Sequence, residues 1–143
     1  MNVLVDTSVW SLLLRHKPTT DNVLQMQKLK TIVTELIHTQ QIRLMGSIRQ
    51  ELLSGVVHQA QFDKLVVAVS AFEDEVITYN DYICAAQSFN QCRAQGIQGS
   101  HVDFLICAVA MNHHLRILTT DKDFIHYQKV LPLDVWMPNF LDS

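Results

Sequence analysis

No apolar run in this chain approaches the roughly 20 residues that a membrane-crossing helix needs. The N-terminus has no basic stretch followed by an apolar core either, so no secretory signal is expected. With 4 glycines and 3 prolines among 143 residues, long loops and disordered linkers have little to be built from. Cysteine is scarce: Cys84, Cys92 and Cys107 are odd in number, lack C-x-x-C spacing and lie in apolar helical patterns. A disulfide framework is therefore excluded, and a reducing cytoplasm is the expected setting. Positive charge is in deficit, with 11 Lys and Arg against 14 Asp and Glu and a net charge of −3. This argues against a protein that coats nucleic acid by bulk charge, but leaves room for one that meets it at a local site. The phosphate-cradling motifs G-x-x-x-x-G-K-[ST] and G-x-G-x-x-G are absent, as is the G-x-S-x-G nucleophile elbow.

What is present is an apolar chain, 48% hydrophobic and 17% charged, of a size that one hydrophobic core can serve. Residues 1–143 are expected to form a single domain. Short apolar runs alternate with longer helical patterns, the mark of a parallel sheet covered by helices. Val3-Leu4-Val5 is apolar without alternation, as a strand buried on both faces should be. A helix follows from Val9. Asn22 to Gln40 is predicted helical, with Val23, Met26, Leu29, Ile32, Val33, Leu36 and Ile37 in one stripe. Arg43 to Met45 reads as a strand, Gly46-Ser47 as the start of a helix carrying Glu51, and Gln59 to Phe72 as a further helix. Glu75 to Thr78 is expected as a third strand. Asp81 to Arg93 and Val102 to His113 are predicted helices, separated by Gly96-Ile97-Gln98-Gly99. Leu115 to Leu118 is a strand, residues after Asp121 turn into a short helix, and Val130 to Trp136 should be an edge strand limited by Pro132.

Four carboxylates fall where such a sheet gathers its chemistry. Asp6 follows the first strand directly, on the rim where open parallel sheets bind ligands; the plainer reading is a cap for the next helix. Glu51 borders the stripe formed by Ile48, Leu52 and Val56; otherwise it would pair with Arg49 or Arg43. Asp103 opens the most apolar helix, and Ser100-His101-Val102-Asp103 also reads as a capping box. Gly99 before it suits a close approach of the backbone. Asp121 follows the strand ending at Leu118, and its plainer reading is again a helix cap. Four independent caps do not explain why all four acids converge on one sheet edge. Without a cation, that convergence would cost several kcal/mol in repulsion and desolvation. Hard oxygen donors select Mg²⁺ or Mn²⁺.

Asp6-Thr7-Ser8-Val9-Trp10, Glu51 after the second strand, Asp103 opening an apolar helix and Thr119-x-Asp121-x-x-Phe124 together resemble the PIN-domain signature. In length and motif order the chain is most similar to VapC-type toxins of bacterial toxin–antitoxin pairs. The resemblance implies a Rossmann-like three-layer α/β/α fold with a parallel central sheet, Mg²⁺- or Mn²⁺-dependent endoribonuclease activity, a homodimer and inhibition by a cognate antitoxin. It assigns Asp6, Glu51, Asp103 and Asp121 to the acidic positions, both catalytic and metal-holding. Ser8 and Thr119 match auxiliary hydroxyl positions, and Asp123 has a looser counterpart. Asp6 and Asp103 are expected to hold the cation most directly. Arg15, Lys17, Arg43, Arg49 and Lys122 are the cations placed near the rim for an RNA backbone. One alternative is a haloacid dehalogenase-like phosphatase, which needs a second Asp where Ser8 stands. Another is a non-catalytic module whose acids only bind metal. The His113-His114 pair is not expected to hold zinc, because helical neighbours point about 100° apart; a helix C-terminus is the plainer place for a cationic histidine.

Overall fold

In the computed structural model, which describes residues 1–139, the sheet has the order β2-β1-β3-β4 and every pairing is parallel. The two inner strands, β1 (Val3–Val5) and β3 (Arg116–Leu118), pair along their full length, from Val3 opposite Arg116 to Val5 opposite Leu118. Val3, Leu4 and Val5 are all buried, which accounts for a strand with no polar alternation. The outer strands are shorter, β2 at Ile42–Arg43 and β4 at Val135–Trp136.

Seven helices complete the described residues. They are α1 (Thr7–Leu14), α2 (Val23–His38), α3 (Gly46–Leu53), α4 (Gln59–Val69), α5 (Tyr79–Ala94), α6 (His101–Asn112) and α7 (Asp123–Gln128). Helix α1 packs on α2 and α3, α3 on α4, and α5 on α6, so the helices flank the sheet as a three-layer α/β/α arrangement. As its composition demands, α6 is buried almost all round, through Phe104, Ile106, Cys107, Ala108, Val109 and Ala110. Among the described residues no helix is long and apolar enough to cross a membrane.

Three expectations need correction. Glu75 to Thr78 is not a strand: an isolated parallel bridge joins Leu44 to Asp74, supported by the Glu75 N–H on the Leu44 carbonyl at 2.7 Å. The chain then leaves the sheet because Thr78 and Asp81 close a capping box that starts α5 at Tyr79. The last strand is confined to two residues, since a turn from Tyr127 to Leu131 and then Pro132 occupy its predicted first half. Finally, α4 ends at Val69, short of the predicted Phe72.

This topology decides where chemistry can occur. β1 and β3 end side by side, their C-terminal ends joined by the Asp6 N–H on the Leu118 carbonyl at 2.9 Å. Asp6 and the Thr119–Asp121 segment therefore leave the sheet as neighbours, and the first turns of α1, α6 and α7 crowd the same edge.

Candidate active site

Asp6 is 5% exposed, an uncommon place for a carboxylate, and its polar contacts explain how it is held there. Its Oδ2 accepts the Ser8 hydroxyl at 2.8 Å, the Thr119 hydroxyl at 2.9 Å and the Ser8 backbone N–H at 3.4 Å. Its bond from the Ser8 N–H makes Asp6 the cap of α1, as the plainer reading has it. The same hydroxyls reach onward: Ser8 Oγ accepts the Thr120 N–H at 3.0 Å, and Thr119 Oγ1 accepts the Asp121 N–H at 2.9 Å. Burial pushes the Asp6 carboxyl above its ordinary value, against the lowering effect of Ser8 and Thr119.

Asp103 stands in the first turn of α6, where its N–H is capped by Ser100 Oγ at 3.0 Å. The capping box expected here is only half made. Instead of returning a bond to Ser100, the carboxylate accepts the Tyr127 hydroxyl at 2.6 Å. Asp121 accepts the Asp123 N–H at 3.0 Å, which folds the turn before α7. One carboxylate oxygen from each of Asp103, Asp121 and Asp123 lies within 4.8 Å of the others. Asp6 and Glu51 stand outside that tightest group but line the same cavity of about 290 Å³, together with Thr7, Ser8, Ser11, Arg15, Asp103 and Asp121. The sequence reading expects Asp6 and Asp103 to hold the cation most directly; in the structure Asp103 groups most tightly with Asp121 and Asp123. Glu51 is exposed on α3 and has no ion pair with Arg43 or Arg49.

The electrostatics follow from crowding. Asp103 is raised by burial first, then by Asp121 and Asp6; Glu51 is raised by burial first, then by Asp6 and Asp103. Three carboxylates within 4.8 Å form a hard-oxygen donor set with an excess of negative charge, which a divalent cation fits. Thr7 Oγ1 is buried at the cavity wall within reach of Glu51, whose raised carboxyl it works to lower.

Of the cations expected at the rim, Arg15 lines the cavity. Arg49 is engaged elsewhere, on the Val69 and Phe72 carbonyls at 3.0 and 2.7 Å and on Asp74 at 3.0 Å. Arg43 pairs with Glu75 at 3.4 Å, and Lys122 faces a separate groove beside Ile125 and Met137. His113 lies between Glu75 and Asp81, and His101 stacks on Phe89 with ring centroids 4.9 Å apart. Tyr127 and Thr7 were not foreseen as part of the site. Tyr127 falls three residues beyond Phe124 in the last motif, a spacing that places both on one helix face, but nothing local pairs it with Asp103.

The family model of the PIN domain matches residues 3–130. Among solved structures, the chain is similar to the crystal structure of FitAcB from Neisseria gonorrhoeae, with a TM-score of 0.75 and 19% identity over 99% of each chain. It is also similar to the structure of FitAB bound to an IR36 DNA fragment, with a TM-score of 0.71 and 17% identity over 94% of this chain and 93% of that one. At such identities the likeness concerns the fold alone. Comparison with curated proteins gives no match.

Proposed function

The chain belongs to the PIN-domain family, whose members are generally nucleases, and on that premise we propose that it is a Mg²⁺- or Mn²⁺-dependent endoribonuclease, the toxin of a type II toxin–antitoxin pair. The observation that carries this reading is the carboxylate group Asp103, Asp121 and Asp123, of which Asp103 and Asp121 share one cavity with Asp6 and Glu51 at the C-terminal edge of the sheet. These five side chains would hold the cation. When bound, such an ion lowers the pKa of a water and offsets the charge of the phosphate.

The remaining chemistry belongs to the chain's own groups. Glu51 is an exposed member of the set and its carboxyl is raised, so it takes the proton of the attacking water. Arg15, the cation lining the cavity, holds non-bridging phosphate oxygens in its planar fork. Ser8 and Thr119 fix the Asp6 carboxylate so that it does not rotate during attack. In-line displacement then leaves one phosphate end and one hydroxyl end.

A second cavity of about 520 Å³ supports the partner part of the reading. It is walled by Trp10, Leu14, Val33, Ile37 and Phe72, and α1 separates it from the acidic cavity. An amphipathic antitoxin segment seated there would adjoin the acids. We propose further that residues 1–143 are one PIN domain acting in the cytoplasm, and that the exposed Val76, Tyr79, Tyr82 and Ile83 form part of a homodimer contact, which light scattering tests. The dehalogenase-like alternative lacks its second carboxylate, because residue 8 is a serine whose hydroxyl is bonded to Asp6.

The deciding experiment is cleavage of defined RNAs by the purified chain with Mn²⁺, with EDTA, and after Asp6→Ala or Asp103→Ala. Removing either acid should lower the rate by orders of magnitude, since the ion's contribution is worth several kcal/mol. Cleavage that survives EDTA and both substitutions belongs to a contaminant and ends the assignment. Metal binding without cleavage of any nucleic acid would favour the non-catalytic module.

A further inference from the structure

We propose that Tyr127 is a positioning residue that sets the Asp103 carboxylate against Asp121 and Asp123, and that residue 99 must be glycine to allow it. The inference rests on the metal-dependent reading above and adds to it a group that none of the sequence motifs contains.

The three central carboxylates come from two different elements. Asp103 belongs to α6, whereas Asp121 and Asp123 belong to the turn and first residue of α7. A cation-sized cage therefore depends on how α6 is held relative to α7. Tyr127 lies on α7, one helical turn beyond Asp123, and its hydroxyl donates to Asp103 Oδ2 at 2.6 Å. The donor for one carboxylate thus comes from the helix that carries the other two. A carboxylate accepts only, so the phenol supplies the proton and the direction of this bond is fixed.

The ring has no freedom to swing away. It is 1% exposed, with its centroid 4.9 Å from that of Phe104 and 5.4 Å from that of Phe124. Phe104 follows Asp103 directly, so the ring packs on the same turn whose carboxylate its hydroxyl holds. Gly99 closes the remaining side. A Cβ there would overlap the Tyr127 hydroxyl, and would stand 2.8 Å from Tyr127 Cζ and 2.9 Å from Phe104 Cε2. These contacts are closer than carbon atoms tolerate, and both side chains are locked in the core. A Cβ at residue 99 would therefore press on the hydroxyl that orients Asp103 and displace it. Gly99 has an ordinary backbone φ, so its identity answers to space and not to conformation.

The test is Mn²⁺ affinity by calorimetric titration, with thermal melting in EDTA recorded alongside. Tyr127→Phe keeps the packing ring and removes only the hydroxyl. It should weaken Mn²⁺ binding about 10- to 100-fold, as loss of an outer partner of a metal ligand does elsewhere. Gly99→Ala should weaken it by a similar factor, and the double variant should bind no worse than Gly99→Ala alone, because both substitutions break one contact. A role in packing alone would lower the melting temperature in EDTA and leave the affinity of the folded protein unchanged. Wild-type affinity in Tyr127→Phe, or additive losses in the double variant, would overturn the proposal while leaving the metal site intact. Absence of Mn²⁺ binding by the wild type would instead remove the metal-dependent reading, and this inference with it.

Discussion

The Thr119 hydroxyl donates to Asp6 Oδ2 at 2.9 Å across 113 residues of sequence, tying the end of β3 to the end of β1 at the point where the sheet meets the acidic cavity. Thr119 is fully buried, so this bond has no exchange with water. Thr119→Val should keep the volume and remove both the donor to Asp6 and the acceptor of the Asp121 N–H. The expected cost is about 1–3 kcal/mol in urea unfolding, the range for stranding a buried polar partner. Thr119→Ser should recover most of it. Equal stability of the valine and serine variants would count against the hydroxyl as the tie between the two strands.

Crowding of like charge makes an opposite prediction for Asp103. Its carboxyl is raised by burial first and then by Asp121 and Asp6. Asp103→Asn leaves the Ser100 cap on the backbone N–H untouched and retains an oxygen to accept from Tyr127. In EDTA at neutral pH this variant should melt no lower than the wild type, because relief of repulsion offsets the loss of a negative charge from the first turn of α6. With Mn²⁺ present the order should reverse, since only the wild type keeps the full donor set. Melting curves under the two conditions check both signs, and a large drop in EDTA would return Asp103 to the role of a helix cap.

The legible parts of the molecule were those decided locally or by burial on both faces. β1 could be read from an uninterrupted apolar run, β3 from an apolar run broken only by Arg116, and α6 from apolarity almost all round. The order of the acids along the chain was readable too, because each follows a strand end or opens a helix. What misled was the segment Glu75 to Thr78, whose Val76 and Ile77 favour a strand. Its neighbours have other partners: Asp74 holds Arg49, Glu75 holds Arg43 and His113, and Thr78 begins α5. The same engagement removed Arg43 and Arg49 from the rim. Tyr127 was invisible because its bond to Asp103 spans 24 residues and depends on how α6 and α7 are placed. Which three acids stand closest is likewise a matter of tertiary distance, not of motif order.

Arg15 and Arg49 should separate substrate binding from stability. Arg15 makes one long bond, to the Leu52 carbonyl at 3.5 Å, and lines the acidic cavity. Arg15→Gln, placed on an Asp103→Asn background to prevent turnover, should weaken binding of a defined RNA and reduce the salt dependence of binding by about one charge. Its stability should change by no more than about 0.5 kcal/mol. Arg49→Gln should do the reverse, unfolding more easily through lost bonds to Val69, Phe72 and Asp74 while leaving the salt dependence intact. An unchanged salt slope in the Arg15 variant would remove it from the phosphate path.

His113 provides the test by pH. Its Nδ1 lies 2.7 Å from Glu75 Oε2 and its Nε2 3.0 Å from Asp81 Oδ2, so both ring nitrogens face acceptors and both must carry protons. The imidazolium joins the end of α6 to the start of α5, with Arg43 on Glu75 and Asn112 on Asp81 completing the surroundings. Burial works against this charge, but the bonds to Glu75 and Asp81 outweigh it and raise His113 above its ordinary 6.5. Burial likewise opposes Asp81, yet Thr78, Asn112 and His113 bring its carboxyl below the ordinary 3.8. A raised histidine stabilises fully below 6.5 and loses that contribution as pH rises through its folded value. A lowered carboxylate stabilises above 3.8 and loses its contribution as pH falls through its folded value. The clamp is therefore complete between these limits and weakens on either side. His113→Gln should show its largest loss of stability near about pH 5 and a smaller one in alkaline buffer, above the ring's folded value. Comparing the two proteins in the same EDTA buffer cancels the separate titration of the acidic cavity. An equal loss at both pH values would mean that the ring acts by packing and not by charge.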